Sequence, residues 1–554
     1  MVARPNPVLL YHPDGYRVTR ADLKGRHSAG ESFLDAFLRT VDGPEVYGLL
    51  LNTQGGPQFA ETVAAAGRDL APKVVTRSDV EILRGQGLLY IPHAELAREA
   101  RTRSFLGEPS YGICGITHTI SSPEAIDQIA SIVTEPVAAF DALICTSKTV
   151  HSAVSNVLAI RETDLKARLG ATSFRRPLMP IIPLGVHAGR FRRDTSARVE
   201  LRNKLGLGED TIAILFFGRL SVHAKASPFQ LAQAAERAAR QLDGPVAVIW
   251  AGWFSNKFQS DVFMGTAKAM APSVDFHHVD GRDPAIKHAI WSAADIFCSL
   301  SDNIQESFGL TVIEAMAAGL PAVVSNWNGY REAISHGTNG ALVDSYLPQS
   351  ALAESAYRHL AGLDNYDLYI GGVSQFCFID VEQTAAWFVR LAQNPGLRHQ
   401  MGEAAQRTVA EQFDWNVIIS RYFELWAQQK EMLEAARKAP GSRSITWQAY
   451  DPAVTFASYP SHHLTHATQL ARGSEFGRWD ELLTQPAIVL HAPVLLRAGT
   501  LASLRQVVTE SDSIAVADLV RRFAEGERPA VYRSLHWLVK IGALRLQEPR
   551  AENP

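Results

Sequence analysis

The chain has 554 residues, 46% of them apolar and 20% charged, and a net charge of −3. That length exceeds one ordinary domain and suggests about three or four, and the composition is that of a folded chain with no low-complexity tract. A near-neutral balance excludes a chain-wide field for nucleic acid or acidic lipid, and without a run of about 18 apolar residues no membrane span is expected.

Cys114, Cys145, Cys298 and Cys377 are far apart and form no C-x-x-C pair. Neither a zinc site nor a disulfide framework is indicated, and a reducing cytoplasm fits best. The opening MVARPNPVLLYHPDG has too short an apolar core for a signal peptide, so none is expected.

Residues 7–186 alternate strand-like and helix-like segments. Strand-length apolar runs fall at 7–12, 47–52, 73–76, 88–92, 111–118, 141–146 and 179–183, and helical segments at 32–40, 58–68, 123–140 and 148–169. Such alternation predicts a doubly wound parallel sheet. Its ligands sit beyond the carboxyl ends of the strands, so the loops after strands hold the candidates. The first loop is Gly25-Arg-His-Ser-Ala-Gly-Glu31, where Gly30 would allow close backbone approach. Equally, it is an ordinary turn with Ser28 as N-cap. The second candidate is His118, at the end of an apolar strand, either a ligand-binding group or a satisfied half-buried histidine.

After a charged, polar stretch at 190–210, a second alternation begins. Strands are predicted at 212–217, 246–252, 274–279, 295–300 and 322–325, with helices at 228–241, 261–270, 284–292 and 311–318. The strand at 212–217 runs into Gly218-Arg-Leu-Ser-Val-His-Ala-Lys225. A glycine turn flanked by Arg219 and Lys225 suits a diphosphate, since arginine grips two oxygens and lysine adds a point charge. The alternative is two solvated loop charges.

The stretch at 301–343 carries two carboxylates, Glu306 in a polar loop and Glu314 inside an apolar helical run. Phe308-Gly309-Leu310 lies between them, where a helix should start. Unpaired N–H groups and the helix dipole favour an anion there. No G-x-G-x-x-G or P-loop pattern occurs, which argues against a dinucleotide oxidoreductase or P-loop enzyme.

Glu306-Ser-Phe-Gly-Leu-Thr-Val-Ile-Glu314, followed by Ala-Met-Ala-Ala-Gly-Leu-Pro, resembles the E-x7-E motif of the retaining glycosyltransferases of family 4. The resemblance covers roughly residues 5–435. It implies a GT-B fold, with two Rossmann-like doubly wound parallel-sheet domains facing a cleft. It also implies transfer of a sugar from a nucleotide-sugar donor, with no further cofactor and no metal. By the same resemblance Glu306 and His118 contact the donor sugar, and Glu314 binds the nucleotide ribose. Phe308, Gly309 and Leu310 offer N–H groups to donor oxygens, and Arg219 and Lys225 stabilise the leaving diphosphate. Gly30 stands where the family has a glycine pair, of which one is kept. The spacing to Lys225 is one residue longer than the family pattern.

The domains implied are 1–188, completed by a crossing helix at 414–436, then 189–413, then an accessory module at 445–554. Residues 345–380 lack clear periodicity and read as a partly irregular surface insertion; helices follow at 381–393, 397–413 and 417–433. Residues 438–443 (KAPGSR) read as a linker. Residues 514–546 read helix, turn, helix, short strand, and 512–547 resemble a winged helix. Interspersed acidic residues favour protein binding or packing over nucleic acid. The acceptor stays open, as does peripheral attachment to the inner membrane. Rival readings are an epimerase or hydrolase of the same fold, a non-catalytic nucleotide-sugar-binding protein, and a DNA-binding regulator.

Overall fold

The computed structural model describes residues 4–16, 25–51, 53–106, 109–225, 227–439, 449–487, 489 and 494–547. The chain divides into two units, Met1–Trp447 and Gln448–Pro554. In the first unit, β1 (Val8–Leu10), β2 (Glu45–Leu49), β3 (Ala71–Val75), β4 (Leu88–Tyr90), β5 (Gly112–Ile116) and β6 (Ala142–Ile144) form one sheet. Its order is β3-β2-β1-β4-β5-β6, with all neighbours parallel. A second parallel sheet holds β7 (Ile212–Phe217), β8 (Val246–Gly252), β9 (Asp275–Asp280), β10 (Ile296–Ser299), β11 (Ala322–Ser325) and β12 (Gly340–Val343). Its order is β12-β11-β10-β7-β8-β9. Helices cover both faces of each sheet, so central strands such as β8 (VAVIWAG) and β10 (IFCS) are buried at every position.

The helix Trp415–Lys438 returns from the second sheet to pack on the first. Its Tyr422 and Trp426 rings meet Phe33 and Phe37 at 5.1 and 5.8 Å. The Gln429 Nε2 donates to the carbonyls of Ile113 and Phe140 at 3.0 and 2.9 Å.

Four expectations change. Residues 25–31 are not a loop: the helix runs Gly25–Thr40, and its buried residues already begin at His27 and Ala29 before Phe33 and Phe37. Residues 179–183 are not a strand and make only isolated bridges, such as Cys145 with Ile181. Pro180 and Pro183 lack the N–H that a ladder needs. The helix from Pro123 ends at Ala130, followed by a 3-10 turn at Ser131–Val133. Residues 345–380 are ordered: the antiparallel pair β13 (Ser345–Tyr346) and β14 (Phe378–Ile379) brackets helices Ala353–Leu360 and Tyr366–Ser374. Asn365 caps the second of these through Leu368 N. Residues 440–443 of the expected linker lie outside the described residues. Helices Val80–Gln86 and Leu96–Ser104 and strand β12 were not anticipated.

The second unit has β15 (Gln469–Arg472), β16 (Ile514–Ala515) and β17 (Leu544–Gln547) in an antiparallel sheet of order β16-β15-β17. Helices Ala498–Thr509, Val516–Arg521 and Arg528–Lys540 pack on it around Leu504, Leu519, Val531 and Leu535. The helix, turn, helix, strand order read at 514–546 is present, opened by the short β16. Among the described residues no helix is long and apolar enough to cross a membrane.

Candidate functional site

Each sheet reverses its winding between two neighbours, β1 and β4 in the first and β7 and β10 in the second. Loops leaving such neighbours diverge and open a crevice at the carboxyl ends of the strands. In the second sheet these loops are 218–225 and 300–309, which bear the candidate cations and the first glutamate. The Lys225 Nζ lies 2.8 Å from Glu306 Oε2, and the Glu306 side chain is only 11% exposed. Burial pushes the Glu306 carboxyl up. The Lys225 charge and hydrogen bond, with the N–H groups of Phe308 and Ser307, outweigh it, and the pKa falls below the usual carboxylate value.

Gly309 starts the helix Leu310–Ala317 with φ 94°, a left-handed conformation natural to glycine. A Cβ there would collide with the Tyr330 ring, whose hydroxyl shares a 2.8 Å hydrogen bond with Ser299 Oγ. Phe308 is buried, its ring 6.3 Å from that of Phe413. The Arg219 Nη2 donates to Gln305 Oε1 at 3.5 Å, beside the Lys225–Glu306 pair. Asp302, also in the β10 loop, is 2% exposed. Burial pushes its carboxyl up to about 7, against a 3.0 Å hydrogen bond from Gln230 Nε2.

Three groups tie the two layers together beside this crevice; the sequence placed the turn at 326–331 around the cleft, but not Glu332 or Tyr366. Asn328 has φ 39° and donates from Nδ2 to the Glu306 carbonyl at 2.7 Å. Its Oδ1 accepts from Ser147 Oγ of the first sheet's side at 3.1 Å. Glu332 accepts from Lys148 N, at the start of the helix Lys148–Leu169, at 2.8 Å. Tyr366 shares a 2.7 Å hydrogen bond with Ser121 Oγ and accepts from Gln305 Nε2 at 3.4 Å. A signal existed for the last of these, the aromatic cluster in NYDLY, but helical spacing did not mark it.

His118 lies just past β5, half-buried, on the loop that ends in Ser121. Glu314 and Leu310 line a cleft of about 580 Å³, with Tyr16, Ser28, Glu31, Ser32 and His187. The structure therefore joins Glu306, Lys225, Arg219 and Gly309 in one crevice, and places Glu314 on the adjoining cleft wall. Gly30 is not brought in as a loop glycine. It sits inside the helix Gly25–Thr40, where a Cβ would collide with the Gly15 carbonyl, so packing of the chain explains it. Among the described residues no group of three or more His, Cys, Asp or Glu is placed to hold a metal ion.

Residues 197–361 match the family described as glycosyl transferases group 1. D-inositol 3-phosphate glycosyltransferase of Segniliparus rotundus is 30% identical over 176 residues, which is 32% of this chain and 38% of that protein. The protein of the same name from Xylanimonas cellulosilytica is 31% identical over 225 residues, 38% of this chain and 47% of its own length. The chain thus spans less than half the length of these relatives. Among solved structures, Anabaena Alr3699/HepE in complex with UDP superposes with a TM-score of 0.51 at 16% identity, covering 76% of this chain and 99% of that one. At that identity the likeness speaks for the fold, and it agrees with the twin sheets and the returning helix. The fold is GT-B, and residues 197–361 of it are similar to the glycosyl transferases group 1 family.

Proposed function

We propose that this protein is a retaining glycosyltransferase that moves a sugar from a nucleotide-sugar donor to an acceptor hydroxyl. The observation that carries this reading is the Lys225–Glu306 pair at the β7/β10 crevice, beside Arg219 and the helix start at Gly309. A donor diphosphate in that crevice meets Arg219, Lys225 and the N–H groups at Gly309 and Leu310. Lys225 exchanges its carboxylate partner for a phosphate oxygen. Glu306, released, accepts hydrogen bonds from the donor sugar, with His118 on the opposite loop. Glu314, on the cleft wall, accepts from the ribose hydroxyls.

Transfer breaks the bond between the anomeric carbon and the phosphate oxygen, and its electron pair leaves with the diphosphate. Preorganised positive groups aimed at that growing charge give the largest stabilisation such a site can offer. The acceptor oxygen bonds the anomeric carbon on the face the phosphate leaves, and the departing phosphate oxygen takes its proton. Because Arg219, Lys225 and the helix start supply the neutralising charge, the mechanism requires no metal. The group 1 match and the names of the aligned relatives support a glycosyltransferase, and the UDP complex of the Anabaena protein makes UDP-sugars the first donors to try.

The test is a donor panel of UDP-, GDP- and ADP-glucose, read by binding calorimetry and nucleotide release without acceptor. The expected result is binding and slow cleavage of one donor, weakened in Glu306→Ala, Glu314→Ala and Arg219→Ala. A folded wild-type sample that binds none of a wider set of nucleotide sugars overturns the catalytic reading.

A further inference from the structure

The helix Tyr366–Ser374 lies beyond the segment that matches the group 1 family, which ends at residue 361. It is nevertheless fastened to the candidate donor loops from two sides. Asp367 Oδ2 lies 3.3 Å from His223 Nε2 in the β7 loop. Asn303 Nδ2 in the β10 loop donates to the carbonyls of both His223 and Ile370. Gly371 is pressed so close to His223 that a Cβ there would come within 2.7 Å of the His223 Cβ. A helix held this tightly can carry a side chain in a set position.

That side chain is Tyr366. Its hydroxyl meets Ser121 Oγ at 2.7 Å, and Ser121 is 8% exposed, on the same loop as His118. It also accepts from Gln305 Nε2 at 3.4 Å, and the other end of that amide accepts from Arg219 at 3.5 Å. One chain of hydrogen bonds therefore runs from the first sheet's β5 loop to the guanidinium beside the Lys225–Glu306 pair. The planar amide of Gln305 has one donor and one acceptor end: Arg219, which can only donate, takes the oxygen, and the amide N–H end is left for the Tyr366 hydroxyl.

We propose that Tyr366 is a positioning residue for the sugar-transfer step: its hydroxyl ties the Ser121 loop to Gln305 and so holds Arg219 where the leaving diphosphate forms, an assignment that rests on the donor-site reading above. Tyr366 acts through Gln305 and does not itself touch the reacting atoms. Removing its hydroxyl leaves donor affinity largely intact, because Lys225, Glu314 and the Gly309 helix start remain. It lowers the rate, because the guanidinium is no longer held in register.

The experiment compares full-length wild type, Tyr366→Phe, Ser121→Ala and the double variant, with UDP-, GDP- and ADP-glucose as probes. Donor cleavage is expected to lose roughly 10-fold in kcat in each single variant, less than the ~10²-fold that a 1 Å misplacement costs. KM is expected to stay within about twofold and the double variant to be no worse than either single one, since both cut the same chain. Unchanged kcat in Tyr366→Phe, additive losses, or a rise in KM matching the fall in rate each overturn the assignment. A second readout needs no turnover. Spin labels on Ile160→Cys and Phe258→Cys, both exposed while the native cysteines are buried, report the distance between the two sheets' layers. Tyr366→Phe is expected to broaden that distance without any nucleotide, and an unchanged distribution counts against the bridge. If wild type cleaves no donor yet the labels respond, the donor-site reading fails while the bridge stands.

Discussion

Lys225 and Glu306 are 81 positions apart in sequence and 2.8 Å apart in space. They meet because β7 and β10 are neighbours, so the loops that leave them share one crevice. The ion pair neutralises these two charges against each other, and each partner is available to a donor only when the other finds a substitute.

That pairing makes an acid-dependent prediction. The folded pKa of Glu306 is lowered, so its contribution to stability is present above the unfolded value of about 4.3 and is lost as pH falls through the lower folded value. Glu306→Gln is therefore expected to be less stable than wild type near neutral pH, with the gap closing in strong acid. Urea unfolding from pH 7 down to pH 3 reads this directly. A gap that widens on acidification contradicts it.

Asp302 runs the other way. Burial raises its pKa to about 7, so the folded chain binds its proton more tightly than the unfolded chain. Its stabilising effect is complete below the unfolded value of about 3.9 and declines as pH rises through the folded one. Asp302→Asn keeps an oxygen for Gln230 and carries no charge. It is expected to be more stable than wild type at pH 8, by on the order of 2–4 kcal/mol, and equal to it near pH 4. Thermal unfolding at the two pH values is the check.

Gly309→Ala places a side chain in a left-handed conformation and against the Tyr330 ring. The backbone strain alone costs ~1–3 kcal/mol. The melting temperature should fall and donor binding weaken together, because the same residue starts the helix proposed to receive the phosphate. Normal binding at full stability would show that neither contact matters.

Arg219→Lys keeps the charge but loses the two-pronged grip and the geometry offered to Gln305. Donor cleavage is expected to fall by about 10²-fold, the lower end of the loss from removing one preorganised donor to a developing anion. Steady-state rates beside binding heats separate this from a folding defect.

Gln429→Ala tests the returning helix. It removes a buried amide that donates to two carbonyls of the first sheet's layer. Leaving such acceptors short costs ~1–3 kcal/mol. Thermal unfolding should register that loss, with donor binding spared because the donor crevice lies in the other sheet.

Much of the fold was legible because its signals are local. Strands β7, β8 and β11 and helix Lys148–Leu169 begin and end where apolar runs and turn residues begin and end. The helix Tyr366–Ser374 was not legible: Gly371 and Gly372 blur its periodicity, and its stability comes from Asn365, His223 and Asn303, two of which lie far away in sequence. The Gly25–Thr40 helix took in the expected loop because Gly30, in its second turn, packs against the backbone of Gly15 and Tyr16, a contact that no periodicity reveals.

By itself the sequence determined the alternating strands and helices, and the spacing of Glu306, Gly309 and Glu314 about one helix start, since propensity, burial pattern and capping act over a few residues. Only the tertiary structure decided that Lys225 meets Glu306, that Tyr366 joins Ser121 to Gln305, and that Glu314 lines a cleft with Glu31 and His187. Those contacts depend on strand order, and strand order is set by how two whole sheets bury their faces, a balance no single stretch of chain contains.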